Sequence, residues 1–189
     1  MSTLCSCSLQ IEHLSSTLPI EGPFDFSFLA TLTQPLAELC KSTEGCRNSC
    51  HSYSLDAPLV DLSDAVLSLC QAACTAYGLL VDELGPATTA TTNAGAPLTC
   101  TKSPMALGKL ALQVEEETLL ARQVIYTVLT NLSVLLRDAY TRGKEAAGVD
   151  LDLGVAASMR PGLYGREGDG PVSQSLSRVL ALLGRLFPE

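Results

Sequence analysis

Apolar side chains recur every three or four residues in five stretches of this chain, which is the spacing of one face of an α-helix. Leu, Ala and Val provide most of these positions, whereas Trp is absent and Phe and Tyr are few. Five amphipathic helices are therefore predicted. They cover residues 4 to 17, Asp25 to Thr43, a run from Asp61 or Ser63 to Leu84, Val114 to Arg142, and Pro171 to Phe187.

Glycine and proline mark the predicted helix ends, because a helix commonly stops at a glycine and proline cannot continue it. Gly45 follows the second helix, Gly85 and Pro86 follow the third, and Gly143 follows the fourth. Pro35 lies inside the second helix, where it predicts a kink or a restart.

Two segments, residues 85–110 and 143–170, show neither helical nor strand periodicity and are predicted to be long connecting loops. Within the first, the sequence ALGKLAL alternates briefly and predicts at most a short extended arm. A length of 189 residues suits one domain with a real core. The prediction is an all-α, single-domain bundle of five to six helices with two long loops, covering residues 1–189.

The charge pattern argues against nucleic acid as a direct partner. The net charge is -8, and no cluster of Lys or Arg occurs, so a phosphate backbone would be repelled. The N-terminus lacks the features of a secretory signal, and no stretch approaches eighteen uncharged apolar residues. An intracellular protein without membrane contact is therefore expected.

Two cysteine pairs share a C-x-x-x-C spacing: Cys46 with Cys50 in GCRNSCHSYSLD, and Cys70 with Cys74 in LSLCQAACTAY. Four thiolates can bind zinc, but structural zinc sites usually use C-x-x-C. A reduced cysteine on an apolar helix face acts as a small hydrophobic residue, and a disulfide is disfavoured inside a reducing cell. No metal is predicted; Cys46 and Cys50 should end the second helix and pack near Cys70 and Cys74.

Motifs of catalysis are absent from the sequence: it has no Ser-His-Asp arrangement, no H-E-x-x-H and no phosphate-binding loop. No cofactor is predicted. If the chain is an enzyme, the candidates for supplying a proton or hydrogen bond are Tyr77, Tyr126, His51, Glu116 and Arg122. The tyrosines either line a ligand pocket between helices or lie at the edges of the core.

Four segments, taken in order, resemble one family: CSCSLQIEHLSSTL, FSFLATLTQPLAELCKSTEGCRNSC, LSLCQAACTAY and MALGKLALQVEEETLLARQVIYTVLTNLSVLLRDA. The chain is similar to the C-terminal regulatory domain of fungal zinc binuclear-cluster transcription factors of the aflatoxin-regulator type. Gly108 to Leu136 is the most specific part. The DNA-binding zinc cluster of that family is absent, and Cys5, Cys7, Cys46 and Cys50 do not reproduce its pattern.

The resemblance implies a function in a fungal secondary-metabolite gene cluster, and two versions of it stay open. In the first, the chain is a free-standing regulatory domain in the nucleus that binds a partner regulator, a coactivator or a small apolar metabolite. In the second, the scaffold serves in the cytoplasm as a cofactor-independent cyclase or isomerase acting on a polyketide-type metabolite. Fold analogy alone does not decide between them.

Overall fold

A computed structural model describes residues 5–46, 56–80, 96–107, 109–149 and 170–187. Within these residues the all-α prediction is confirmed: five helices dominate, and four very short strands accompany them. The helices are α1 (Ser6–Thr17), α2 (Phe26–Gly45), α3 (Asp56–Tyr77), α4 (Val114–Val149) and α5 (Pro171–Leu186). The strands are β1 (Pro23–Asp25), β2 (Thr99–Thr101), β3 (Ala106–Leu107) and β4 (Leu110–Ala111).

Helix α4 is the centre of the fold, because α2, α3 and α5 all pack against it. Its inward face supplies six completely buried side chains, spaced as a helical stripe. These are Ala121, Ile125, Val128, Leu129, Leu132 and Leu136. Leu119 and Leu120 belong to the same predicted apolar face but are 61% and 40% exposed, so the stripe is narrower at its beginning than predicted.

Helix α3 begins earlier and ends earlier than predicted. Pro58, expected in the preceding loop, lies in its first turn, where a missing N–H costs no helical hydrogen bond. The helix stops at Tyr77 rather than Leu84, because Gly78 adopts a φ of 63° and the amide of Leu79 bonds back to the Cys74 carbonyl at 2.9 Å. The predicted terminators Gly85 and Pro86 lie outside the described residues.

Helices α2 and α4 both run through residues that were expected to interrupt them. Pro35 lies inside α2, which continues as one element, so the predicted restart was wrong. Pro35 is exposed, and the carbonyl that it leaves unbonded can meet water. Gly143 was predicted to end α4, which instead reaches Val149, since one glycine costs a helix only about 1 kcal/mol relative to alanine.

Two glycines of opposite role give a direct test of these helix ends. We expect Gly78→Ala to lower the free energy of unfolding by about 1 kcal/mol, because an alanine pays the steric cost of the left-handed conformation. Gly143→Ala should instead raise it by about 0.5 to 1 kcal/mol, since an added Cβ there meets nothing within 4 Å. Urea denaturation measures the free energy of unfolding of both variants. Changes of the same sign in the two variants would contradict the assigned helix ends.

The short strands fall in segments predicted as loop. β1 pairs in parallel with β2, with Phe24 opposite Cys100, and places the N-terminus of α2 beside the segment that leads to α4. β3 and β4 form an antiparallel pair within ALGKLAL, which confirms the short extended arm. The β1–β2 pair was not predicted, because strands of three residues carry too little periodicity to be detected from sequence.

Two described helices are long and apolar enough to cross a membrane by length and composition: Asp56–Tyr77 and the Val114–Glu145 part of α4. Every eighteen-residue window of the first helix contains Asp61 and Asp64, and the longest uncharged run of the second covers residues 123–136, so neither is the uncharged apolar stretch of eighteen residues that the sequence analysis excluded. About half of each apolar window is buried inside the protein, at 50% and 44%, as in core helices of water-soluble domains. Absence of membrane contact stays a prediction.

Candidate functional site

A groove opens to solvent where α1, α2, α3 and α4 approach one another, and its enclosed part measures about 20 Å³. Its walls are apolar, and three polar residues stand along it. The apolar lining is Ile11, Leu59, Leu135 and Ala139, and the polar residues are Thr43, Asp138 and Arg142. This enclosed space holds about one water molecule, so a small-molecule ligand would lie along the open part of the groove. An apolar lining with a few placed polar groups is typical of small-molecule sites.

Arg142 is the fixed positive charge of the groove. Its Nε donates to Asp138 Oδ1 at 3.1 Å, and its Nη2 donates to both Asp138 Oδ2 and the Thr43 carbonyl, the latter at 2.9 Å. Since Thr43 lies in the last turn of α2, the guanidinium also meets the negative end of that helix. Arg142 thereby joins α4 to α2 and presents an oriented donor at an apolar cavity.

The chemistry available from the described groove lining is binding rather than proton transfer. Asp138 and Arg142 are the ionisable groups among the described lining residues, and they are paired with each other. An i,i+4 spacing of Asp and Arg on a helix is a sequence signal for such a pair. Sequence reasoning missed it because Arg142 was considered only as the end of the predicted fourth helix, and nothing in the sequence marks Thr43.

Three cysteine thiols lie next to the groove, on the other side of Thr43. Cys5, Cys7 and Cys46 have their sulfur atoms within 4.8 Å of one another, and the Cys46 amide donates to the Thr43 carbonyl at 3.3 Å. Burial, together with the neighbouring thiols of Cys5 and Cys46, raises the pKa of Cys7 to about 12.

This cluster corrects the predicted arrangement of the cysteines. Cys46 does cap the end of α2 as predicted, but its sulfur lies beside Cys5 and Cys7 rather than near Cys70 and Cys74. The latter two are buried on α3 in the core, where burial raises the pKa of Cys74 to about 11. Cys50 lies outside the described residues.

Tyr77, the first catalytic candidate, is a buried residue at the end of α3. Its ring lies edge-on to Phe26 at 4.8 Å, and the Lys102 ammonium lies 5.2 Å from its centroid. The hydroxyl is buried without a hydrogen-bond partner in the described structure. Burial raises the pKa of Tyr77, and an interaction of the hydroxyl with the Ser103 backbone opposes that rise, although this contact is not a hydrogen bond of normal geometry. The residue is thus part of the core itself, with its hydroxyl buried rather than at the solvent-facing edge that the second reading of the tyrosines predicted.

Removal of the Tyr77 hydroxyl tests the assignment of this residue to the core. We expect Tyr77→Phe to raise the free energy of unfolding by about 1 kcal/mol, because a buried polar group without a partner costs 1 to 3 kcal/mol. Tyr126→Phe serves as the control, since Tyr126 is 39% exposed, and should be neutral within about 0.5 kcal/mol. Destabilisation by Tyr77→Phe would show that the hydroxyl makes an essential bond.

Beside Tyr77, a polar network secures the start of α2. Asp25 accepts hydrogen bonds from the Ser27 amide at 2.8 Å and from the Ser103 hydroxyl. The Ser103 and Ser27 hydrogen bonds lower the pKa of Asp25. This network caps the helix and ties it to the segment after β2, so it is explained without catalysis.

Tyr126 and Arg122 come together at the end of α5, away from the groove lining. Tyr126 packs edge-on to Phe187 at 5.3 Å, and the Arg122 guanidinium lies 5.9 Å from the same ring. The Nε atom of Arg122 is buried without a described hydrogen-bond partner. Tyr126 is 39% exposed, so this cluster is a surface contact between α4 and α5 rather than a closed pocket.

The last two catalytic candidates are Glu116, which has a structural role, and His51. Glu116 is exposed, and its Oε2 accepts from the Gln113 amide at 2.9 Å, which is the reciprocal bond of a capping box at the start of α4. His51 lies outside the described residues. The structure therefore brings Arg122 and Tyr126 together, and none of the four described candidates lines the groove.

Comparison with known proteins identifies one relative along nearly the whole chain. The sequence is 46% identical over 211 aligned positions to asperlin biosynthesis cluster protein I of Emericella nidulans, covering 97% of this chain and 95% of the relative. The chain belongs to the family of this protein. The predicted association with a biosynthetic gene cluster is confirmed at the level of the family.

Two other comparisons gave no match. No protein-family model matches the chain, and no solved structure matches it. The resemblance to aflatoxin-regulator domains therefore stays a prediction.

Proposed function

We propose that the protein serves a secondary-metabolite gene cluster as a regulatory-type helical domain that binds a small, largely apolar metabolite in the groove between α1 and α4. The observation that carries this proposal is the groove itself, with apolar walls and one oriented Arg142. Such a site suits a ligand with an apolar body and one carbonyl, carboxylate or phenolate oxygen. The relative from a biosynthetic cluster supports the metabolic setting.

The regulatory part of the proposal follows from the aflatoxin-regulator resemblance and from the chain's acidity. With a net charge of -8, the protein would influence transcription through a partner regulator or coactivator rather than through its own DNA contact. Ligand binding would report metabolite level to that partner. Nuclear localisation is part of the same proposal.

The alternative of a cyclase or isomerase has less support among the described residues. Acid-base catalysis needs a titratable group within hydrogen-bond reach of the substrate. Asp138 and Arg142 are already paired, and Tyr77, Tyr126, Glu116 and Arg122 lie elsewhere. A binding role needs no titratable group, only the apolar lining and the Arg142 donor.

A groove-filling variant separates binding from general effects. The purified protein is incubated with extract from a producing strain that lacks the gene, and bound small molecules are identified by native mass spectrometry. We expect a bound metabolite in the original protein, loss of it in Ala139→Phe, and its retention in Val134→Phe, since Val134 is an exposed residue of the same helix. The groove is rejected as the binding site if the original protein binds no metabolite, or if both variants retain the metabolite equally.

The same extracts distinguish the regulator from the enzyme. Conversion of an accumulated intermediate by the purified protein alone would establish the enzyme and overturn the regulatory proposal. We expect instead an unchanged extract, together with lower transcript levels of neighbouring cluster genes in the deletion strain. Unchanged transcripts would also reject regulation.

A further inference from the structure

The three-cysteine cluster beside the groove is not used by the proposed function. Cys5 and Cys46 sulfurs are 3.1 Å apart, and all three sulfurs lie within 4.8 Å of one another. Thiols gain little from contact with each other as hydrogen-bonding groups, because the S–H is a weak donor and the sulfur a weak acceptor. Convergence of three thiols on one point therefore calls for a different explanation.

The fold brings these residues together from distant parts of the sequence. Cys5 is the N-cap of α1 and Cys7 lies in its first turn, whereas Cys46 caps the C-terminus of α2. The C-x-C segment thus presents two sulfurs from a helix start to a third sulfur at a helix end. Cys7 is also held by α2, since its sulfur lies 3.6 Å from the Ser42 carbonyl.

Core filling does not account for this cluster as it does for the other described cysteines. Cys70 and Cys74 belong to the buried core, and Cys40 and Cys100 pack against it. Cys5, Cys7 and Cys46 lie outside that core as a group of their own. Cys7 is 2% exposed, while Cys5 and Cys46 are half-buried, so the cluster is enclosed on one side and reachable from solvent on the other.

The spacing of the sulfurs fits a metal ion at their centre. Zinc–sulfur bonds of about 2.3 Å in a tetrahedron place sulfurs roughly 3.8 Å apart, which lies within the 4.8 Å envelope of the cluster. The Cys5 and Cys46 sulfurs, now 3.1 Å apart, would separate by less than about 1 Å on binding. Thiolate ligands select zinc(II) and copper(I) over harder cations. α1 has no acidic residue in its first turn that would compete with the thiols for a cation.

We propose that Cys5, Cys7 and Cys46 form a binding site for a thiophilic d10 cation that joins the start of α1 to the end of α2. Three thiolates would hold zinc(II) with one coordination position open to solvent, or copper(I) in a trigonal arrangement. Each thiol gives its proton to solvent as its sulfur binds the ion, without oxidation or reduction. The site differs from the zinc binuclear cluster of DNA-binding regulators, which needs six cysteines.

The test uses the full chain, purified with a thiol-free reductant, freed of metal and titrated separately with zinc(II), with cobalt(II) as its coloured substitute, and with copper(I). We expect one equivalent of zinc or copper to bind, cobalt to give thiolate charge-transfer absorption, and the melting temperature to rise on binding. Binding of zinc together with the cobalt charge-transfer absorption identifies the four-coordinate form. Binding of copper(I) in the absence of that cobalt absorption identifies the trigonal form.

Serine variants assign the ligands. Loss of an outer-shell partner weakens metal binding ten- to hundredfold. Loss of a direct ligand should weaken binding by at least that factor, and this is expected for each of Cys5→Ser, Cys7→Ser and Cys46→Ser. Cys100→Ser is the matched control, since Cys100 is a half-buried cysteine outside the cluster, and should bind as the original protein does. Circular dichroism confirms folding of each variant.

Three outcomes would overturn the site: no stoichiometric binding of any of the ions, equal weakening by Cys100→Ser, or a Cys5 to Cys46 disulfide that forms under mild oxidation without any metal affinity in the reduced protein. Failure of the metal site leaves the groove test unaffected, because Ala139→Phe changes none of the cysteines.

Discussion

Leu129→Ala is expected to lower the free energy of unfolding by about 3 kcal/mol. Leu129 is completely buried on α4, the helix against which α2, α3 and α5 pack. Truncation removes the transfer free energy of the side chain and leaves a cavity that surrounding helices only partly fill, and such substitutions cost 2 to 5 kcal/mol. Urea denaturation measures the change as a lower midpoint at constant slope.

Val134→Ala provides the control on the same helix. Val134 is 40% exposed, so its truncation should change the free energy of unfolding by less than about 0.5 kcal/mol. A similar loss for both variants would contradict the assignment of the buried face of α4. A large loss for Leu129→Ala together with a small change for Val134→Ala would place the apolar stripe of α4 at the centre of the core.

Arg142→Met is expected to lower the free energy of unfolding by about 2 kcal/mol. The substitution removes the ion pair with Asp138 and the hydrogen bond to the Thr43 carbonyl, and hydrogen bonds from charged groups are worth about 1.5 to 3 kcal/mol. It also leaves the last turn of α2 with one fewer donor. Methionine retains most of the aliphatic stem, so the loss reports on the guanidinium.

Arg178→Met is the matched control for Arg142. Arg178 Nη1 lies 2.5 Å from Asp64 Oδ1, but the side chains of this pair are 50% and 48% exposed. Solvent-exposed pairs contribute about 0 to 1 kcal/mol, and high salt weakens them further. If Arg178→Met cost as much as Arg142→Met, the contact of Arg142 with α2 would carry no special weight.

Thr43 connects the two sites proposed for this protein. Its carbonyl accepts from Arg142 at the groove and from the Cys46 amide beside the thiol cluster. A cation at the cysteines would fix the last turn of α2 and, with it, the acceptor that orients Arg142. Metal binding is therefore expected to tighten ligand binding in the groove, and calorimetry with the metabolite in the presence and absence of zinc would measure the coupling.

The sequence by itself determined the helices and the helical class of the fold. The apolar stripe of α4 and that of α5 were predicted within a few residues, because their three- and four-residue spacing is a local property. Helix ends were less certain, since a glycine can end a helix, as Gly78 does, or lie within one, as Gly143 does. Packing against neighbouring helices decides between these outcomes.

The tertiary structure alone decided which polar and sulfur groups meet. Equal C-x-x-x-C spacing grouped Cys46 with Cys70 and Cys74, yet Cys46 lies with Cys5 and Cys7, 41 and 39 positions away in the chain. Thr43 and Arg142 are 99 positions apart and meet across the groove. Sequence periodicity specifies which face of a helix is buried, whereas the register and angle between helices specify which side chains converge, and those depend on the packing of the whole core.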